Sequence, residues 1–513
     1  MRRPPGEAVV STVIVGYGMA GARVASELHA RGRDRTVTVL GAEPHRAYNR
    51  ILLSSLLAGK LAEPEVELTE PAGRGLDLRL GVEVTGIDRA SRTVSTVDGP
   101  VGYDTLVLAT GSTALVPPVD GLETPLPQRI SVFRTLDDCR RILRTAEKSA
   151  SAIVLGGGLL GLEAARGLAL RGLTVEVVHA VGHLMERQLD AGASAVLVGT
   201  LRSLGVTVHL AAATTRVAAD DDGVTVTLAD GVQLRADLFV VACGTRPETG
   251  LARGAGLTVE RGIVVDDQLR TSDRHIFAIG DCAQHAGVVA GLVAPAWEQA
   301  RVVAEVIAGR SSRYRPTPPV TRLKATGIDL AAMGSSTEHD GELVTFADPA
   351  RGTYAKLLLR DNKVAGAIML GDNPAVGTVI QLFDRGAPVP PDRRSLLLGR
   401  AAGPAAPATD SPALIPDGAT ICQCNTVSKG ALVAAWRAGA RSVPEMVAAT
   451  RATTGCGSCR DAVCGLVDWL ARVDSTGGAA SHAAEPEWSA TGPGRGAASD
   501  AAEPDRSVVE VSG

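Results

Sequence analysis

Two sets of residues in this chain could do chemistry: four cysteines near the C-terminus, and glycines that recur twice at the spacing Gly-x-Gly-x-x-Gly. The cysteines stand as Cys422-x-Cys424 and, thirty-one residues on, Cys456-x-x-Cys459, inside ICQCNT and TTGCGSC. Four thiolates on two short loops can hold one [2Fe-2S] cluster. A structural zinc ion is the rival, because it also takes four cysteines in a tetrahedral set. Zinc frameworks usually show wider C-x-x-C knuckles on both sides, so the C-x-C pair favours the cluster.

The glycines are Gly16, Gly18 and Gly21 in VIVGYGMAG, and Gly156, Gly158 and Gly161 in IVLGGGLLG. One glycine permits the tight turn, one lets backbone amides approach a pyrophosphate, and one lets the helix pack on the strand. The pyrophosphate then sits at a helix N-terminus, where unpaired N–H groups and the helix dipole favour negative charge. One such motif is weak evidence. Two of them, each in strand-turn-helix context, specify two dinucleotide sites.

The elements that must position these groups can be read around them. After the first fingerprint, TVTVLGAE is a strand running to Glu43, an acid suited to an adenosine ribose. After the second, TVEVVH places His179 where an acid is expected, with no obvious arginine pair in its place, so the choice between NADH and NADPH is open. YDTLVLATGS is a strand entering an Ala109-Thr110-Gly111 turn, and RHIFAIGDCA is a strand ending in Gly280-Asp281. Each carries polar groups to the carboxyl edge of a parallel sheet, where nucleotides bind. Glu163, in GLEAA, is a candidate at the nicotinamide nucleotide. Further on, TRLKATGIDLAAMG and TYAKLLLRDNKVAGAIMLGD suggest a small antiparallel sheet, with Asp361-Asn362-Lys363 as a hairpin turn.

Composition narrows the classes of function. The 513 residues are 45% hydrophobic, enough for about three well-filled domains. A net charge of -4 gives no footprint for nucleic acid and no polybasic membrane anchor. The basic start and apolar VVSTVIV could pass for a signal peptide, but the glycine fingerprint within that stretch argues for a buried strand. No uncharged run approaches the roughly eighteen residues of a membrane span. Eight cysteines, half of them in one motif, fit a reducing compartment, so a cytoplasmic protein is expected. GRAAGPAAPATDSPA, about 399–413, makes 399–415 read as a linker, and 475–513 lacks apolar periodicity and reads as a disordered tail.

Residues 1 to about 310 resemble the two-dinucleotide-domain flavoprotein disulfide reductase superfamily. AYNRILLSSLLAGK, HLMERQLD, GLVAP and LKATGIDLAAMG are also similar to the N-terminal half of assimilatory NAD(P)H nitrite reductase large subunits and to the assimilatory nitrate reductase electron-transfer subunit. Residues 421–464 resemble the bacterioferritin-associated-ferredoxin type of [2Fe-2S] domain. The resemblance implies an α/β fold with two Rossmann-like domains, FAD at 9–112 with 241–312 and NAD(P)H at 113–240. A small α+β domain at 315–395 and a small helical [2Fe-2S] domain at 418–472 would follow. It also implies that Asp281 is the FAD-binding aspartate, that Arg50 lies near the FAD and that Trp297 lies near the flavin ring.

No cysteine stands where a disulfide reductase needs one beside its flavin; Ser54 and Ser55 occupy that region, and Cys282 reads as a packed side chain. Cys464 is expected outside the cluster. What the resemblance leaves is a relay from NAD(P)H through FAD and a [2Fe-2S] cluster to a separate terminal reductase. That partner is expected to be an assimilatory nitrate or nitrite reductase, because the sirohaem half of nitrite reductases has no counterpart in this polar C-terminus. Alternatives are the FAD subunit of an amine or amino-acid dehydrogenase, a ferredoxin or rubredoxin reductase, and an iron-handling module.

Overall fold

The computed structural model describes residues 10–31, 35–68, 76–318, 320–338, 340–373, 375–398, 412, 415–422, 427–453 and 459–475. Nearly all of the expected linker, the tail beyond 475, and both Cys424 and Cys456 lie outside the described residues.

Two five-stranded parallel sheets form the body of the protein. The first runs Ile276–Ala278, Thr105–Leu108, Val10–Val15, Arg35–Gly41, Leu76–Leu80. The second runs Val206–His209, Thr174–Val178, Ser151–Leu155, Leu238–Val241, Ile130–Val132. The strands at and beside the centre, such as Thr105–Leu108, Ser151–Leu155 and Leu238–Val241, are nearly continuous apolar runs because both faces are covered, and Val13, Ile14, Ile153, Val154 and Phe239 are fully buried. In each sheet the fingerprint strand is central, so its turn opens where the strand order reverses, the place where parallel sheets bind nucleotides.

The second domain is inserted into the first. The outgoing crossing, Ser112–Ala114, pairs antiparallel with the returning one, Thr245–Pro247. Val241 still belongs to the second sheet, so the return lies a few residues beyond the expected boundary at 241.

The third unit is an antiparallel sheet in the order Val320–Leu323, Leu330–Gly334, Lys363–Leu370, Thr353–Arg360, Glu342–Asp348. Arg360 pairs with Lys363 across the turn at Asp361 and Asn362, whose φ values of 50° and 60° are those of a two-residue hairpin. The sheet packs on the second domain: Leu330, Tyr354 and Ile368 share a core with Leu168 and Leu197. Lys356, 3% exposed, meets Asp190 at 3.1 Å. Burial pushes the Asp190 carboxyl up, but the Ala193 N–H, Lys356 and Tyr354 outweigh it and hold the group below its ordinary value.

The last unit comprises the short strands Thr420–Cys422 and Val427–Ser428 and the helices Lys429–Arg437, Val443–Thr450 and Arg460–Ser475. Trp436 ties its first helix to its last by donating from Nε1 to Asp474 at 2.8 Å. This unit does not stand apart. Its core of Cys422, Val427, Met446 and Leu466 is continuous with Met19 and Trp297 of the first domain.

Candidate functional site: two nucleotide cradles and a cysteine domain

The two fingerprints have matching physical requirements. A Cβ at Gly16 would stand 2.3 Å from the Ala109 carbonyl oxygen, and one at Gly156 would stand 2.4 Å from that of Ala242. A Cβ at Gly21 would fall 1.9 Å from the Gly16 oxygen, and one at Gly161 would fall 2.0 Å from the Gly156 oxygen. These four positions are glycine because backbone occupies the space. Gly18 and Gly158 differ: a Cβ at either meets nothing within 4 Å. The open space lies at the N-termini of the helices Met19–Arg31 and Leu159–Leu170, the cradle a pyrophosphate requires. The residues present therefore fit two dinucleotides.

Around the first cradle the structure gathers several of the expected residues. Gly280, with φ 75°, donates its N–H to the buried Gln299 at 2.7 Å and turns the chain so that Asp281 follows the strand end. Asp281 accepts from Ser112 Oγ at 2.8 Å and from Arg134 at 2.7 Å, and Arg134 also donates to Ser112 Oγ at 2.6 Å. Thr110 Oγ1 donates to the Glu248 carbonyl at 2.8 Å, fixing the Ala109-Thr110-Gly111 turn against the returning crossing. Glu43 is bound by Arg50 and, at 2.7 Å, by the Tyr48 hydroxyl. Burial first, then Glu43, push the Tyr48 phenol far above its usual range, so it stays a donor. Arg134, Tyr48 and Gln299 escaped the sequence reading. The helix signal Thr135-x-x-Asp138, a reciprocal cap directly after Arg134, marks where Arg134 is held.

Trp297 stands at the start of the helix Val293–Ile307, in the same segment as Gln299. Its Nε1 donates to the Met19 carbonyl at 3.1 Å, and Arg23 lies over its ring at 5.5 Å. Met19 directly follows Gly18. The indole is thus bonded to the edge of the first cradle and packed on the core that contains Cys422. Arg451 donates to the Glu67 carbonyl at 3.2 Å, a second tie between the cysteine unit and the first domain.

At the second cradle, His179 turns inward. Gly157 N–H donates to its Nδ1 at 3.1 Å, so the other ring nitrogen carries the proton and meets the His183 carbonyl at 3.1 Å. Glu163 is buried and accepts the Lys324 N–H at 3.1 Å, so the helix position expected at the nicotinamide nucleotide also anchors the third domain.

Cys422 and Cys459 are 1% and 5% exposed and share one core, Cys422 closing a strand and Cys459 directly preceding the helix Arg460–Ser475. A helix N-terminus stabilises a thiolate, and a buried pair of such sulfurs fits a cluster or a metal. Among the described residues no three potential ligands come together. Cys139, Cys243 and Cys282 are of a different kind. Burial pushes Cys139 up to about 12 and Cys243 up to about 11. Cys282 is fully buried and also raised, its Sγ 3.2 Å from the Ile279 carbonyl. None is poised for dithiol exchange.

Fold and cradles define a pyridine-nucleotide flavoprotein, and residues 10–302 match the pyridine nucleotide-disulphide oxidoreductase family, to which the chain belongs. Residues 319–385 match the rubredoxin NAD+ reductase C-terminal domain, and residues 420–469 match the BFD-like [2Fe-2S] binding domain. FAD, NAD(P)H and a [2Fe-2S] cluster are the cofactors these families imply, which decides between cluster and zinc. More particularly, the chain is 36% identical to a nitrite reductase [NAD(P)H] of Bacillus subtilis (strain 168), over 88% of this chain and 56% of that protein. It is 34% identical to the assimilatory nitrate reductase electron transfer subunit of the same organism, over 90% of this chain and 60% of that protein. The chain thus spans a little over half the length of these relatives. A solved putidaredoxin reductase–putidaredoxin complex superposes with a TM-score of 0.68 at 28% identity, covering 75% of this chain and 95% of that one. Among the described residues no helix is long and apolar enough to cross a membrane.

Proposed function

We propose that this chain is an NAD(P)H-dependent FAD and [2Fe-2S] oxidoreductase that passes electrons to a terminal reductase, an assimilatory nitrate or nitrite reductase, in the cytoplasm. The observation that carries the reading is the continuous core joining Met19 and Trp297, at the edge of the first cradle, to Cys422 of the cysteine domain. FAD, when bound, supplies the exchange between two-electron hydride and one-electron chemistry, and a cluster accepts single electrons. The protein's own part is positional. Gly18 and Gly158 leave room for the two pyrophosphates, and Asp281, Arg134 and Glu43 supply hydrogen-bonding groups around the first. The indole and the cysteine domain cover its flank, so the proposed exit is through the cluster.

A ferredoxin or rubredoxin reductase is the second reading, favoured by the match of residues 319–385. It would have electrons leave from the flavin domain itself, where the chain's own cysteine domain now sits. A complete second cradle argues against an amine or amino-acid dehydrogenase, which draws electrons from its substrate. The test is anaerobic addition of NADH or NADPH to the reconstituted protein. Both the flavin and the cluster absorption bands should bleach. Cys422→Ser should abolish transfer to an added nitrate reductase while leaving flavin reduction intact. Failure of both nucleotides to bleach the flavin refutes the reading, and unchanged transfer by Cys422→Ser refutes the cluster exit.

A further inference from the structure

The second cradle has no acid at its strand end, yet a carboxylate reaches that place from farther along the chain. In both domains the fingerprint glycine closes the same register: Gly16 N–H donates to the Leu40 carbonyl at 2.8 Å, and Gly156 N–H to that of Val178 at 2.9 Å. Glu43 lies three residues beyond Leu40; the corresponding residue beyond Val178 is Val181, and His179 lies between. Neither can accept from a ribose hydroxyl as a carboxylate does. Beyond Gly182 the chain folds back, and the Met185 N–H donates to the Gly157 carbonyl at 3.0 Å. That return places Glu186 Oε2 3.4 Å from His179 Nε2, with the glutamate side chain 40% exposed.

The imidazole is a spacer between the fingerprint loop and this carboxylate. Its Nδ1 accepts from Gly157, and a Cβ at Gly157 would lie 2.8 Å from its Cγ. Because Nδ1 accepts, the ring is neutral and offers no cation to a phosphate. Glu186 therefore stands one ring width from the peptide at the middle of the fingerprint, with its side chain partly exposed.

We propose that Glu186, rather than a strand-end residue, reads the adenosine ribose at the second cradle and makes NADH the preferred donor. The proposal rests on the reading of that cradle as the NAD(P)H site. A carboxylate can accept hydrogen bonds from the 2′- and 3′-hydroxyls of NADH, whereas the 2′-phosphate of NADPH would bring like charge against it. Arg187, exposed beside it, is the neighbouring group that would favour the phosphate, and so it is the control.

The test uses the full-length protein loaded with flavin and cluster, with kcat/KM for NADH and NADPH measured against ferricyanide and NAD+ and NADP+ affinities measured by calorimetry. The unmodified chain should favour NADH. Glu186→Gln should cut that preference by about tenfold, the worth of one hydrogen bond to a charged group, mainly through KM. Arg187→Ala should leave the preference standing. His179→Asn, which loosens the loop, should weaken both nucleotides alike. A preference for NADPH in the unmodified chain, an unchanged ratio in Glu186→Gln, or a loss confined to NADH in His179→Asn would overturn the inference alone. If the unmodified chain bound neither nucleotide, this inference and the oxidoreductase reading would fall together.

Discussion

Gly158 and Gly161 lie three residues apart in one turn, and the structure assigns them opposite kinds of necessity. Gly161→Ala places a Cβ 2.0 Å from the Gly156 carbonyl oxygen, a backbone atom whose own residue is held by its bond to Val178. The helix must move off the strand, and overpacking of that kind costs about 1–3 kcal/mol or more. Gly158→Ala meets nothing within 4 Å, and its φ of -83° and ψ of -179° suit alanine. Two small terms act on its stability. Alanine is a poorer helix N-cap than glycine, by about 0.5–1 kcal/mol, and it restricts the unfolded chain by a similar amount in the other direction. The free protein should therefore be nearly unchanged in stability.

Binding should respond the other way. A methyl at Gly158 fills the opening through which backbone amides meet the pyrophosphate, and losing one such charge-assisted bond is worth about 1.5–3 kcal/mol, or roughly ten- to a hundredfold in affinity. Denaturant unfolding of the nucleotide-free proteins and calorimetric titration with NADH separate the two quantities. The expected pattern is a lowered midpoint for Gly161→Ala and a normal midpoint with weakened NADH binding for Gly158→Ala. Gly158→Ala binding NADH as the unmodified chain does would refute the assignment of the open space to the nucleotide.

Trp297→Phe should cost about 1 kcal/mol through loss of the bond to Met19. Trp297→Ala, a large-to-small change in a shared core, should cost about 3–5 kcal/mol and free the cysteine domain; stopped-flow spectra should then show NADH reducing the flavin normally but the cluster slowly, and equal cluster rates would contradict the docked route. Asp190 has a lowered pKa, so its contribution is present above the unfolded value near 4 and is lost as pH falls through the lower folded value. Asp190→Ala, which strands the buried Lys356, should destabilise by about 3–5 kcal/mol at pH 7 and flatten the acid limb of the stability profile, measured by denaturant unfolding from pH 3 to 7.

What could be read in the sequence was whatever depends on near neighbours. Gly16 and Gly21 answer to one another across five residues of a single turn, and Asp361 with Asn362 answers to the two strands it joins, so type and spacing were enough. The groups that escaped are joined across the chain. Arg134 reaches Asp281 over 147 positions, Trp297 reaches Met19 over 278, and Asp190 reaches Lys356 over 166. Nothing in the local pattern of FRTLDD or APAWEQ states such a partner, because it is set by how one sheet is inserted into another and by where the last domain comes to rest. His179 shows the intermediate case. It stands where an acid is expected after the fingerprint, and the register gives the ring a backbone N–H to accept; a buried imidazole satisfied in that way is a clamp. The acid it displaces returns from a loop seven residues on. The chemistry at this cradle therefore follows the path of the loop, and a scan of strand ends alone would not find it.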